Sequence, residues 1–233
     1  MKELEFNYQV KKSARRKTLA VTVHSDNRVV VSVPAICSQK NILRFVEDKS
    51  AWIRKVIQAN LKRAKQNLER RFETGEKLLY LGEEYILRVE RGTPSRVFVE
   101  DGNICVRLPV ESPSAVPSEV RKRLIDWYLD CALAEAKEKV PVYTNDIGVN
   151  PRSVTIKSMR SRWGSCSTRG RISLAWNVIM APEPVFDYLI VHELCHMVHH
   201  NHSAEYWKLV ETIFPDHRRC RKWLRENGIR LQL

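Results

Sequence analysis

Residues 192–202 read His-Glu-Leu-Cys-His-Met-Val-His-His-Asn-His, and no other stretch of the chain constrains its folding so tightly. Five of the seven histidines fall inside it, leaving His24 and His217 elsewhere. His192 and His196 are four residues apart, so a helix stacks both imidazoles on one face, where they can grip one metal ion. Glu193 falls one step round the helix, where a carboxylate can meet a metal-bound water without ligating the metal itself. A catalytic zinc takes three protein ligands and keeps one position open. His202 supplies the third ligand if the helix stops soon after His196 and the chain turns back.

The flanking residues support that geometry. Ala181-Pro182-Glu183-Pro184 is a helix start, because proline is tolerated in the first turn and acid suits the positive end. Phe186, Leu189, Ile190, Leu194 and Met197 follow at helical spacing as a buried stripe. Asn201, immediately before His202, tolerates the left-handed backbone that turns a chain out of a helix. Ser203 is a natural N-cap for a following helix that carries Tyr206 and Trp207. Glu205 and Glu211 are the rival third ligands. His199 and His200 read as bystanders, and Cys195 as packing. The spacing of His192, His196 and His202 equals that of the metzincins, but His199 stands where they carry a glycine. No methionine follows Met197, so a Met-turn is excluded.

At 233 residues the chain has room for one large domain or two small ones. The net charge is +13, and +11 of it lies in residues 1–72, with Lys11, Lys12, Arg15, Arg16 and Lys17 as the densest run. A polyanionic partner, such as non-specific nucleic acid held by this basic amino-terminal third, is one reading, and a well-solvated surface is the other. No helix-turn-helix, finger or RNA-binding signature is present. Six cysteines without a C-x-x-C pair suggest reduced thiols. With no membrane-spanning run and no targeting segment, the expected location is cytoplasmic and no membrane partner is expected.

Residues 18–23 and 28–33 read as a hairpin around Ser25-Asp26-Asn27, ended by Pro34. Residues 41–48 and 50–71 read as two helices, the second with Ile53, Val56, Ile57 and Leu61 on one face. Short strands follow at 77–81, 84–89, 96–99 and 103–108. The stretch 109–118, rich in proline and serine, marks a boundary. Beyond it come a helix over 119–140 ending at Pro141, strands over 154–159 and 171–176, the histidine helix, and two more helices. The expected fold class is α+β. An amino-terminal basic domain with strands and helices (1–112) precedes a zincin-like catalytic domain (113–233), whose small sheet packs on the H-E-x-x-H helix.

Val191-His192-Glu193-Leu194-Cys195-His196, Asn201-His202-Ser203 with Trp207, and Arg162-Trp163-Gly164-Ser165-Cys166 together resemble the YgjP-like metallopeptidase family, relatives of the SprT-like and WLM zincins. Trp52-Ile53, Gly75-Glu76 and Leu81-Gly82 are weaker echoes, so the likeness covers nearly the whole chain. The resemblance implies one zinc ion per chain held by His192, His196 and His202, with Glu193 as catalytic base. It leaves the substrate open: a peptide or protein, a phosphate-containing small molecule cleaved at a phosphoanhydride, or a protein bound to nucleic acid.

The chemistry expected of such a site is hydrolysis by an activated water, with Glu193 as general base. Arg160, Arg162 and Tyr206 are the candidate oxyanion partners by residue type and proximity. With Trp163 they make up the expected substrate-binding set. Trp163 alone would equally suit a buried aromatic, and the two arginines a solvated strand face. Gly164 suggests a bend or bulge near the site, and an edge strand there could hold an extended substrate by backbone pairing.

Overall fold

The structure, a computed structural model, describes residues 5–24, 26–111, 117–159 and 161–233, and for 62–69 the backbone alone. The chain divides into two compact units, Met1–Glu69 and Arg70–Leu233.

In the first unit, β1 (Tyr8–Ser13), β2 (Ala20–Val23) and β3 (Val29–Pro34) form a sheet ordered β1-β3-β2. β2 and β3 make the expected antiparallel hairpin. Asn27 closes it at φ 65°, a left-handed conformation that asparagine takes more readily than most residues. β1 pairs parallel with β3. Its sequence, Tyr-Gln-Val-Lys-Lys-Ser, is mostly exposed and lacks the alternation that marks a strand. The two helices expected around Lys49 are one, α1 (Gln39–Glu69). Ser38 starts it, its Oγ accepting the Asn41 N–H at 3.3 Å. No glycine or proline lies between Asp48 and Ser50, so nothing local breaks the helix. Ile42, Val46 and Ile53 of α1 and Val29, Val31 and Val33 of β3 form a small core.

The second unit begins with β4 (Lys77–Tyr80), β5 (Glu83–Arg91), β6 (Arg96–Glu100) and β7 (Asn103–Leu108), ordered β4-β5-β7-β6. Leu78, Leu87, Ile104, Val106 and Leu108 share one core with Val120, Leu124 and Tyr128 of α2 (Pro117–Ile147). Tyr128 Oη donates to the Leu79 carbonyl at 2.7 Å. This sheet therefore packs with the residues that follow it, and the units divide after Glu69, not at 112. A proline-rich stretch reads as a linker even when the elements on either side bury each other's apolar faces.

α2 also passes through Pro141, where it was expected to end. The turn beyond persists because Tyr143 and Ile147 pack on the same core. Gly148, at φ 75°, stops the helix, its N–H donating to the Thr144 carbonyl at 3.0 Å.

A third sheet, β8 (Ser153–Lys157), β9 (Gly164–Cys166) and β10 (Arg171–Ala175), is ordered β8-β10-β9, leaving β9 at an edge. The segment expected to join two strands thus contains a short strand of its own. A 3₁₀ turn (Trp176–Met180) leads into α3 (Glu183–Cys195), followed by α4 (Ala204–Ile213) and α5 (His217–Asn227). α3 begins at Pro182 and Pro184, as expected. It is buried on every side, with Val185, Phe186, Leu189, Ile190, Val191 and Leu194 all inside, because α2, β10, α4 and α5 surround it. A single stripe was too narrow an expectation for a central helix.

The architecture is the α+β class expected, with small mixed sheets and, among the described residues, five helices. All six cysteines are free thiols, and Cys195 is buried. Among the described residues, no helix is long and apolar enough to cross a membrane.

Candidate active site

α3 delivers His192 from its last turn and ends with His196 as its C-cap. The chain then tightens, the His199 N–H reaching the Cys195 carbonyl at 3.0 Å. Ser203 caps α4 as expected, its side chain accepting the Tyr206 N–H at 3.3 Å. Asn201 is not among the left-handed residues. Its Oδ1 instead accepts the Ser203 N–H at 3.2 Å, a side-chain turn that reverses the chain without a positive φ.

His202 is thereby brought back to α3. His192, His196 and His202 each offer a ligand atom, and these atoms lie within 4.8 Å of one another. The Nε2 atoms of His192 and His202 are 3.3 Å apart. Two nitrogens each about 2.0–2.1 Å from one tetrahedral ion would be about 3.3–3.4 Å apart, so this edge fits zinc. The outer nitrogens are also engaged. Tyr206 Oη lies 2.7 Å from His192 Nδ1 and donates to the His192 carbonyl at 3.0 Å. With its proton so placed, the hydroxyl accepts from Nδ1–H, which frees the Nε2 lone pair. His196 Nδ1 lies 3.0 Å from the His199 carbonyl, an oxygen that can only accept, with the same consequence. Burial, with His196 and His202 adding to it, pushes the His192 pKa down to about 3. Burial lowers His196 as well, so both rings are held neutral, as ligation requires.

Neither rival ligand joins the group. Glu205 is fully exposed, its carboxyl held low by the Ser203 hydroxyl. Glu211 pairs with Arg218 at 3.2 Å. His199 contributes a backbone carbonyl, while His200 lines the cavity beside the cluster.

Tyr206, expected to touch substrate, is fully buried. Its ring stacks on His196 at 4.5 Å between centroids and meets His202 edge-on. It thus backs the histidines and positions them, with no face open to a ligand. Trp207, not assigned a role from the sequence, stacks on His202 at 5.4 Å and carries the Arg221 guanidinium over its ring at 4.8 Å.

Glu193 is buried, at 4% exposure. Burial pushes its carboxyl up to about 7, with the Arg162 guanidinium drawing it the other way. Gly164 of β9 lies against it: a Cβ there would come within 2.7 Å of Glu193 Cγ and 2.8 Å of Cδ. Only glycine lets the edge strand approach the carboxylate this closely. Two cavities, about 760 and 510 Å³, share Arg162, Gly164, His192 and Glu193 in their walls. Arg162 is exposed at their junction. Trp163 is half-buried and lines the larger cavity, its ring so close to Gly228 that a Cβ there would sit 2.6 Å from Cζ2. Arg160 lies outside the described residues.

The larger cavity also brings in residues the sequence reading did not single out: Tyr188, Leu189 and Leu224, with Arg218, Arg221, Lys222 and Arg225 from α5. A periodicity count would have found the last four, which recur at helical spacing beside the buried His217, Cys220 and Leu224. That they face the histidines is a tertiary fact.

Three converging imidazoles, a buried glutamate beside them and an open cleft, on an α+β frame, form a centre of the metallohydrolase type. The family described as "YgjP-like, metallopeptidase domain" matches residues 17–227. The chain belongs to the YgjP-like metallopeptidase family, and membership implies a divalent metal and hydrolytic chemistry. No curated protein matches the chain. Among solved structures, it is similar to the metallopeptidase zymogen of Pyrococcus abyssi abylysin, at 21% identity over 39% of this chain and 93% of that one, with a TM-score of 0.36.

Proposed function

We propose that the protein is a zinc-dependent peptidase whose ligands are His192, His196 and His202 and whose general base is Glu193. The observation carrying this reading is the convergence of the three imidazoles, two with their outer nitrogens engaged, on the wall that Glu193 shares with both cavities. Bound zinc supplies Lewis acidity toward the scissile carbonyl and lowers the pKa of a neighbouring water from about 15.7 to about 7. Glu193 takes the proton of the attacking water and returns it to the leaving nitrogen. Its burial and the contact with Gly164 fix the carboxylate's position before substrate arrives. Arg162, exposed at the junction of the cavities, faces the developing oxyanion, and Trp163 packs against the substrate. The free edge of β9 pairs with an extended substrate backbone.

Metal analysis by mass spectrometry tests the centre. Wild-type protein is expected to hold about one zinc per chain, with sharp loss in His202→Ala; full retention in that variant would remove His202 from the ligand set. Glu193→Ala is expected to keep zinc and lose about 10²–10⁴-fold in peptide hydrolysis. A variant that turned over normally would end the base assignment.

A further inference from the structure

Resting on the peptidase reading, we infer that the larger cavity selects acidic peptide segments, with Arg218, Arg221, Lys222 and Arg225 of α5 taking the carboxylates of aspartate or glutamate residues on one side of the scissile bond.

These four side chains are exposed and recur at positions i, i+3, i+4 and i+7, so they make one stripe along the helix. The stripe lines the cavity of about 760 Å³ that His192 and Glu193 also line. Seven residues of helix span about 10 Å, the length of about three residues of extended peptide at about 3.3 Å each. The cations thus match the alternate side chains of a strand laid along the cleft. Arg162, in the same wall, carries the same sign of charge.

Little within the protein neutralises the stripe. Arg218 and Arg225 have only exposed partners, Glu211 at 3.2 Å and Glu226 at 3.7 Å. Among the described residues, no ion pair involves Arg162, Arg221 or Lys222. Arg221 is instead held over the Trp207 ring, which fixes its direction while leaving its charge unmatched. Among the described residues, Glu193 is the one acid in the cavity wall. Like charges held this close repel one another, and a ligand bearing carboxylates relieves that repulsion. The rest of the wall, Trp163, Tyr188, Leu189 and Leu224, suits the aliphatic stems of acidic side chains and their neighbours. A phosphate backbone would find this apolar lining less suitable.

Binding to Glu193→Gln protein, followed by fluorescence anisotropy, separates this inference from the peptidase reading. A labelled glutamate-rich peptide is expected to bind at low salt and its glutamine counterpart far more weakly. Replacing Lys222 and Arg225 together by glutamine is expected to weaken binding about ten-fold. Arg219→Gln, which removes one positive charge from the same helix away from the cavity, is expected to change nothing. Equal binding of the two peptides, or an equal loss in Arg219→Gln, would overturn the assignment. So would a single-stranded oligonucleotide of matched charge that displaces the peptide at lower concentration, because the cleft would then serve nucleic acid. Hydrolysis by the wild type is scored separately. Charge-dependent binding without cleavage upholds the cleft and defeats the peptidase reading, and cleavage indifferent to acidic residues does the reverse.

Discussion

Two residues at the site act through their neighbours, and each supports a sharp prediction. Gly164 leaves no room for a Cβ beside Glu193. Gly164→Ala must therefore displace either the carboxylate or the strand, and turnover is expected to fall by about 10²-fold or more with the metal retained. Paired measurements of hydrolysis and zinc content check this; an unimpaired variant would show that Glu193 tolerates displacement. Tyr206 fixes the His192 tautomer through its hydroxyl. Tyr206→Phe keeps the ring stacked on His196 but leaves Nδ1 only the longer contact to the Tyr188 hydroxyl at 3.4 Å, so zinc affinity is expected to drop about 10–100-fold, as read by chelator competition. The histidine cluster was legible in the sequence because its spacing is a local property. The role of Tyr206 was not: its hydroxyl points behind the cluster because α4 packs against α3, and nothing in the order of residues fixes that packing.

Among the elements, α3 carries the chemistry and its neighbours hold it in place. Lys139 of α2 reaches Asp187 at 2.9 Å and Glu135 at 3.3 Å, and also pairs with Glu183, clasping α2 to the start of α3. Burial opposes its charge, yet hydrogen bonds to Glu183 and Asp187 hold its ammonium above the usual lysine range. Lys139→Ala would strand Asp187, only 15% exposed at its side chain, without its cation. The expected cost is about 3 kcal/mol, measured by denaturant unfolding, and a change under about 1 kcal/mol would show the clasp to be ornamental. The strands of the second unit were readable from their alternation and turns, whereas β1 was not. Its partner β3 is reached across the whole of β2, and its polar face gave no period to follow.

At the scale of the whole molecule, five of the seven tyrosines titrate above their ordinary range because of burial. Tyr80, Tyr143 and Tyr188 are each pushed up to about 12. Above pH 10 the unfolded chain would shed these protons while the native chain keeps them, so stability falls as pH rises through about 10 to 12. Tyrosinate absorbance is expected to appear in step with the loss of far-ultraviolet ellipticity. A gradual rise in a protein that stays folded would contradict the burial of these rings. The same burial explains why the division into units was misplaced from sequence: Tyr128 of α2 sits under β4, across a proline-rich stretch that reads as a seam. Finally, α3 is enclosed on every side, while the stripe on α5 is exposed and β9 lies partly exposed at a sheet edge. Reprogramming which bonds are cut is therefore a task for the rim, where charge and shape can be redrawn without repacking the interior that performs the cutting.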